Sequence, residues 1–140
     1  MVSDHFMRKD FACRCGECKP LIKISLGLVG GLELLCETLS ANLEIIKGYE
    51  CADSAGKSKS FMKNYHTSGI AAEFICHDRN LKDVFKAAID IPEFKGVGLD
   101  LTKSCIHVDT RKDKEQHLWV IESGKHIPIT DENRAIYLSE

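Results

Sequence analysis

Residues 105–111, with the sequence CIHVDTR, alternate between two kinds of side chain. This alternation predicts a β-strand, in which successive side chains point to opposite faces of the sheet. The apolar face would carry Ile106, Val108 and Thr110. The other face would carry Cys105, His107, Asp109 and Arg111. The stretch therefore predicts a strand that packs one face on a core and offers polar side chains to a cleft or to solvent on the other.

Residues 70–76, with the sequence IAAEFIC, predict a second strand that is buried. Glu73 would share its face with Ala71 and Ile75, which do not favour a charged neighbour. A carboxylate in such surroundings needs a cation, a hydrogen-bond donor or a metal to offset its desolvation.

Two histidines and one glutamate in this part of the sequence form a candidate set of metal ligands. His66 lies seven residues before Glu73, and His107 lies more than thirty residues further on. Two imidazoles and a carboxylate are a standard ligand set for catalytic zinc, with the fourth position left to water. Such a set is common by chance, so the surrounding pattern has to support it.

The remaining pattern predicts an α+β fold. A helix over residues 22–42 is indicated by a stripe of Leu28, Leu32, Leu35 and Leu39, although three glycines weaken its first half. A short amphipathic helix is expected over residues 81–89, and a loop over residues 51–65. Further strands are expected over residues 43–49, 97–101, 117–122 and 126–130, the last two as a hairpin around Ser123 and Gly124. One or two helices beside a mostly antiparallel sheet form an α+β layout.

Length and charge narrow the class of protein. The 140 residues fit one domain, with residues 1–20 as an irregular, cysteine-rich N-terminal arm. A net charge of −2 gives no electrostatic case for binding nucleic acid or an anionic membrane. No apolar run approaches the roughly 20 residues that span a bilayer. No signal peptide is visible, which predicts a cytoplasmic or phage-associated protein unless a leader has been removed.

Seven cysteines are an odd and fairly high number for this chain. Without a secretory signal, reduced thiols or a bound metal are favoured over a full disulfide framework. Cys13, Cys15 and Cys18 lie together in the arm and, with Cys51, offer four ligands for a tetrahedral structural zinc ion. The simpler alternative is that these thiols hold the arm near Cys51, either reduced or as one disulfide.

Five segments, in their order and spacing, resemble the zinc D-Ala-D-Ala carboxypeptidase family of bacterial cell-wall peptidases. They are DHFMRKDFACRCGEC at 4–18, IIKGYEC at 45–51, YHTSGIAAEF at 65–74, FKGVGLD at 94–100 and CIHVDTR at 105–111. More narrowly, they are similar to a small carboxypeptidase-like branch that shares a fold with the hedgehog signalling domain. The resemblance implies a hedgehog/D,D-peptidase-like fold, a mostly antiparallel sheet with helices packed on one side.

The resemblance also implies a role for each residue that matches the family's motifs. His66 would be the first zinc ligand and His107 the last, with Glu73 in the place of the family's aspartate ligand. Asp109 would lie close to the metal, where it could orient a ligand or handle a proton. Asp100 stands where the branch usually has a tyrosine. Asp109 and Asp100 are the two candidates for the catalytic base.

Several residues depart from the family's pattern near this site. Glu73 is one methylene longer than aspartate, so its carboxylate has to approach zinc from a shifted backbone or a folded rotamer. Glu50 replaces an arginine that is expected to hold an acidic substrate group, which reverses the charge there. Asn64 replaces a serine, and Ser104 stands where some branches have an acidic general base. Together these changes favour altered specificity or lost catalysis.

The function implied by the resemblance is that of a zinc-dependent metallopeptidase acting on peptides of the peptidoglycan-stem type. Bound zinc would lower the pKa of water toward about 7, and a carboxylate would pass the proton to the leaving amine. Two alternatives stay open: a zinc- or peptide-binding pseudo-enzyme of the same fold, and a cysteine-rich structural domain with no metal in the cleft. Surface or packing roles are expected for His5, His77, His117, His126 and Trp119.

Overall fold

A six-stranded mixed sheet organises the part of the protein that the computed structural model describes, residues 5–12, 24–49 and 65–138. Its strands are β1 (Glu44–Lys47), β2 (Ala71–Ile75), β3 (Gly96–Asp100), β4 (Cys105–Asp109), β5 (His117–Glu122) and β6 (Lys125–Pro128). Their spatial order is β1-β2-β4-β3-β5-β6. All six predicted strands are confirmed, with bounds that shift by two residues at most.

One pair of strands, β3 and β5, is parallel, and the other neighbouring pairs are antiparallel. Asp109 at the end of β4 and His117 at the start of β5 are both register partners of Gly96 in β3. Residues 110–116 therefore connect β4 on one side of β3 to β5 on its other side by passing the end of β3 at Gly96. Because β4 ends beside the start of β5, the parallel pair forms without a crossover helix. The sheet is thus mostly antiparallel, as expected, with one parallel pair added.

Helices pack on the apolar side of this sheet. α1 spans Leu26–Leu39, α2 spans Leu81–Ile89 and a short α3 spans Arg134–Leu138. α2 contacts β3 and β4, while α1 and α3 each contact α2. The α+β prediction is therefore confirmed; α2 has its predicted bounds, whereas α3 was not predicted. Among the described residues, no helix has the length and apolar character that crossing a membrane requires.

α1 is shorter than the predicted helix over 22–42, because serines fix both of its ends. Ser25 Oγ accepts a hydrogen bond from Leu28 N at 3.4 Å and caps the first turn. Ser40 adopts φ 50° and ψ 47°, a left-handed conformation that ends the helix. The predicted leucine stripe is confirmed as core, since Leu28, Leu32 and Leu35 are buried and Leu39 packs against them.

Two side chains of residues 5–12, the described part of the predicted N-terminal arm, pack into the core. Phe6 and Phe11 are both buried and contact each other edge to face, with ring centroids 5.7 Å apart. A 3-10 helix spans Arg8–Phe11, and Tyr49 N donates to Phe11 O at 2.8 Å. This segment is therefore joined to the chain directly after β1.

Three cysteines of the described residues, Cys36, Cys76 and Cys105, are free and buried. The predicted structural zinc site or disulfide of the arm involves Cys13, Cys15, Cys18 and Cys51, which lie outside the described residues. Glu50, Asn64 and most of the predicted loop over 51–65 lie outside them as well.

The predicted hairpin is formed by β5 and β6. Its two turn residues, Ser123 and Gly124, have φ angles of 53° and 76°. Positive φ at both central residues is typical of a type I′ turn, which matches the twist of the two strands.

Candidate metal centre

The polar face of the sheet lies opposite the core. Ile106 and Phe74 point into the core, whereas His107 and Glu73 alternate with them and point away. Glu73 of β2 and His107 of β4 are direct register partners, and His107 is also the partner of Gly98 in β3. Direct partners in neighbouring strands carry their side chains on the same face. The strand register therefore places the Glu73 carboxylate next to the His107 imidazole.

His66 reaches the same place from a 3-10 helix, Tyr65–Ser68, which directly precedes β2. Gly69 N donates to His66 O at 3.1 Å, and Gly69 has φ 73°, a conformation that favours glycine. The chain thus turns sharply between His66 and the start of β2. This turn brings His66 Nε2 to 3.3 Å from Glu73 Oε2, although six residues separate them.

The three predicted ligands, His66, Glu73 and His107, come together in one group. One possible ligand atom of each lies within 4.8 Å of the other two. The two imidazole rings meet edge to face, with centroids 5.3 Å apart. Atoms that bind one zinc ion at about 2.1 Å lie about 3.4 Å apart in a tetrahedral arrangement. Small side-chain rotations would therefore close the group around a cation, and imidazole with carboxylate suits zinc as well as other divalent transition metals.

The two nitrogens of His66 both face hydrogen-bond acceptors. Nδ1 lies 2.9 Å from Gly48 O, and Nε2 lies 3.3 Å from Glu73 Oε2. A neutral imidazole has one N–H group and cannot donate to both. Either a second proton or a cation between Nε2 and Oε2 resolves this arrangement. A metal ion fits because the bond to Gly48 would fix the tautomer that leaves a lone pair on Nε2.

His107 is held in a suitable state by Asp109. Its Nε2 lies 2.8 Å from Asp109 Oδ2, so the N–H is on Nε2 and the lone pair is on Nδ1. Burial lowers the pKa of His107 below its usual value, although the nearby Asp109 opposes this shift. His107 is therefore neutral near pH 7, as a metal ligand has to be.

Glu73 is charged despite its burial. Burial alone raises the pKa of a carboxyl group, but the hydrogen bond from His66 and the electrostatic attraction of His107, His66 and Lys47 outweigh it, and the pKa of Glu73 falls to about 2. Lys47 Nζ lies 3.9 Å from Oε2, and Cys105 Sγ lies 3.8 Å from Oε1. Burial, reinforced by the charges of Glu73 and Asp100, raises the pKa of the Cys105 thiol to about 12. The centre thus combines an anionic carboxylate with a neutral thiol.

Asp109, predicted to orient a ligand or to act as a base, has no exposed surface. Besides the bond from His107, its carboxylate accepts bonds from Arg111 Nε at 2.8 Å and Arg111 Nη2 at 2.7 Å. Burial opposes ionisation, but the Arg111 guanidinium and His107 hold the pKa of Asp109 well below its usual range. With both oxygens engaged, this carboxylate is suited to orienting His107 rather than to exchanging protons with a substrate.

Asp100, the other candidate base, is not part of the ligand group that the described residues form. It lies at the end of β3, where its Oδ1 accepts a hydrogen bond from Lys103 N at 2.9 Å. This bond stabilises the turn between β3 and β4. Ser104, in the same turn, has φ 56° and offers no carboxylate.

Aromatic side chains beside the candidate centre, among them Trp119, were not predicted to be part of it. Trp119 is buried, as expected, and lies over Gly98, where a Cβ atom would overlap the indole ring. Its ring centroid is 5.2 Å from that of His107, and it stacks on His126 at 5.6 Å. The Arg111 guanidinium lies 4.5 Å from the Tyr65 ring and 5.5 Å from the Trp119 ring. The sequence could have indicated Arg111, because the strand alternation places it on the same face as Asp109. It could not have indicated Trp119, because the contact of Trp119 with His107 depends on the order of the strands in the sheet.

Three other histidines pair with carboxylates away from this group, whereas His126 stacks on Trp119. Their contacts are His5 with Glu33, His77 with Glu44 and His117 with Asp113. These pairs agree with the surface roles expected for them.

The comparisons with known proteins leave the family unassigned. No known protein-family model matches the chain. No curated protein is significantly similar to it in sequence.

Proposed function

We propose that the protein is a zinc-dependent metallopeptidase that resembles small D,D-carboxypeptidases of the hedgehog/D,D-peptidase fold. The observation that carries the proposal is the convergence of His66, Glu73 and His107 within 4.8 Å. Three protein ligands leave one coordination position for water or substrate, which is the pattern of catalytic rather than structural zinc. The substrate class, a short peptide of the peptidoglycan-stem type, rests on the resemblance of the five segments.

The residues of the chain would prepare the site as follows. His66 is oriented by Gly48 O, and His107 is oriented by Asp109, which is in turn paired with Arg111. Zinc held by these ligands would polarise the scissile carbonyl and supply a nucleophile at neutral pH. Lys47, 3.9 Å from Glu73 and partly exposed, adds a positive charge at the edge of the group. An acidic group of a peptide would be stabilised there.

The alternative is a pseudo-enzyme of the same fold that binds zinc or a peptide without cleaving it. It is favoured by the state of the two candidate bases. Asp109 is buried with both oxygens bonded, and Asp100 stabilises a turn outside the ligand group. A hydrolase needs a base within reach of the attacking water.

Metal analysis of protein purified without added zinc tests the centre itself. We expect about one equivalent of metal that depends on the centre, as three protein ligands and one open position require. This equivalent should be lost in His66→Ala and in His107→Ala. It should be kept in His117→Ala, a matched control on an exposed histidine, and in Cys15→Ala, which would affect only a site in the arm. Metal retained at the wild-type level in both ligand variants would contradict the assignment.

Incubation with muropeptides then separates the enzyme from the pseudo-enzyme. Release of D-Ala or of a stem fragment that stops on addition of a chelator, and is absent in His107→Ala, is expected of the enzyme. Protein that contains the metal but forms no product between pH 6 and 9 would instead be the binding form.

A further inference from the structure

The two oxygens of the Glu73 carboxylate have different surroundings. Oε2 faces His66 Nε2 at 3.3 Å and Lys47 Nζ at 3.9 Å. Oε1 lies 3.8 Å from the sulfur of Cys105, within reach of an S–H···O hydrogen bond. One oxygen is thus directed to the ligand group and the other to a thiol.

Cys105 is fixed in place by the sheet. It is the first residue of β4, is 1% exposed, and lies on the same strand face as His107, two residues away. An ionised carboxylate only accepts hydrogen bonds, so the thiol is the donor in this contact. The donor is therefore attached to the same strand as a metal ligand, and its position does not depend on a loop.

Glu73 needs such a contact because its side chain is long. The last torsion of a glutamate, between the methylene and the carboxylate, has a broad distribution and no strong preference of its own. Rotation about this bond exchanges Oε1 and Oε2 or turns both away from His66. Ordering the side chain costs conformational entropy, which a fixed donor reduces when it is already in place.

We propose that Cys105 is a positioning residue for Glu73: its thiol donates to Oε1 and so presents Oε2, as a single oxygen ligand, to the metal. The inference rests on the proposed metal centre and adds to it a residue outside the ligand set. Cys105 acts here through Glu73 and does not bind the metal. Partners that hold a ligand in this way commonly change metal affinity by about 10- to 100-fold.

Zinc affinity, measured by competition with a chromophoric chelator, tests this role in three variants. Cys105→Ala removes the donor, and Cys105→Val removes it while filling the volume with a residue that favours strands. Both should weaken zinc binding by about tenfold or more. Cys105→Ser keeps a donor of similar size and should stay within about threefold of the wild type. Cys36→Ala is the matched control, since Cys36 is also 1% exposed but belongs to the core cluster.

The absorption spectrum of the cobalt-substituted protein supplies a second readout that a purely structural role would not change. Cys105→Ala and Cys105→Val should alter the visible bands of Co²⁺, while Cys105→Ser and Cys36→Ala should retain them. Wild-type affinity in both the Ala and Val variants would overturn the inference. A sulfur-to-cobalt charge-transfer band in the wild type that disappears in Cys105→Ala would also overturn it, because the thiol would then be a ligand. If the His66→Ala and His107→Ala variants both still bind zinc like the wild type, the metal centre itself would instead be rejected.

Discussion

Asp109 connects the interior of the protein to the candidate metal centre. Its carboxylate accepts hydrogen bonds from His107 Nε2 and from the Nε, Nη2 and backbone N of Arg111. A buried charge of this kind is stable only while its partners remain. Asp109 therefore contributes to the orientation of His107 and to the stability of the sheet at the same time.

Replacing Asp109 by asparagine should damage both properties. Asp109→Asn leaves the Arg111 guanidinium without its charged partner in the interior, so we expect a loss of about 3–5 kcal/mol in the free energy of unfolding. Zinc affinity should fall about 10- to 100-fold, because His107 loses its fixed orientation. Denaturant unfolding and a chelator competition measure the two effects. Asp113→Asn, at an exposed pair with His117, is the control and should change neither; wild-type stability in Asp109→Asn would contradict the account.

The pKa of Glu73 predicts how the metal-free protein responds to acid. This pKa falls from 4.5 to about 2 on folding, so the folded state favours the charged form. A lowered folded-state pKa gives stability that is present above pH 4.5 and is lost as the pH falls toward 2. The contribution is on the order of 3 kcal/mol. Unfolding free energies at pH 6 and pH 3 should therefore differ more in the wild type than in Glu73→Gln, and equal differences would refute this assignment.

At the scale of single residues, the sequence was sufficient to name three candidate ligands that the structure brings together, but not the side chains that contact them. His66, Glu73 and His107 could be named because the segments around them resemble motifs of the zinc D-Ala-D-Ala carboxypeptidase family, whereas two histidines and a carboxylate alone are common by chance. The contacts of Glu73 with Lys47 and Cys105 depend on strand register, which the sequence does not specify. The engaged state of Asp109 depends on the rotamer of Arg111, which is settled only by packing against Tyr65 and Trp119.

At the scale of elements, glycines in β3 make room for the centre. A Cβ atom at Gly96 would overlap the Asp109 carboxylate, and one at Gly98 would overlap the Trp119 indole. Because Gly96 and Gly98 have no side chains, β3 leaves room for Asp109 and Trp119, two side chains that contact His107. By contrast, an added Cβ at Gly30 in α1 has no neighbour within 4 Å.

Two glycine-to-alanine substitutions should therefore have opposite effects. Gly98→Ala displaces Trp119 and should destabilise the protein by about 1–3 kcal/mol. Gly30→Ala should stabilise it by about 1 kcal/mol, because alanine favours the helix interior. Thermal unfolding of the two variants beside the wild type measures the difference. A Gly98→Ala variant as stable as the wild type would show that Trp119 does not occupy the space above β3.

Elements with a clear local pattern could be predicted well from the sequence. α2 and β5 have their predicted bounds, since periodicity and turn residues mark both ends. α1 begins later than predicted because the hydroxyl of Ser25 caps it, and the leucine stripe, which starts at Leu28, does not mark the first residue of the helix. The parallel pairing of β3 and β5 could not be predicted, because it depends on which side of β3 the chain returns to. The short helices Arg8–Phe11 and Arg134–Leu138 lack a periodic pattern of their own.

At the scale of the whole molecule, the candidate ligands join parts of the chain that are distant in sequence. His66 belongs to the segment before β2, Glu73 to β2 and His107 to β4, while the core lies on the other face of the same sheet. An ion that binds all three would bind the folded protein and not the unfolded chain. Binding would therefore add to the free energy of unfolding.

Metal loading should raise the melting temperature in a way that depends on the centre. At a free zinc concentration 100 times the dissociation constant, the added stability is about 2.7 kcal/mol. A chelator should remove this gain from the wild type. His107→Ala should show no gain at the same concentration, whereas His77→Ala, at an exposed pair with Glu44, should show the full gain. An equal gain in His107→Ala would place the ion elsewhere in the protein.

The position of the ion itself tests the central claim most directly. A crystal grown with zinc and measured at the zinc absorption edge should show an anomalous peak on the polar face of the sheet. The account predicts that one imidazole nitrogen each of His66 and His107, and one oxygen of Glu73, lie about 2.0–2.2 Å from this peak. Zinc bound by the protein with no peak among these three side chains, or with the two imidazoles too far apart to share one ion, would contradict it.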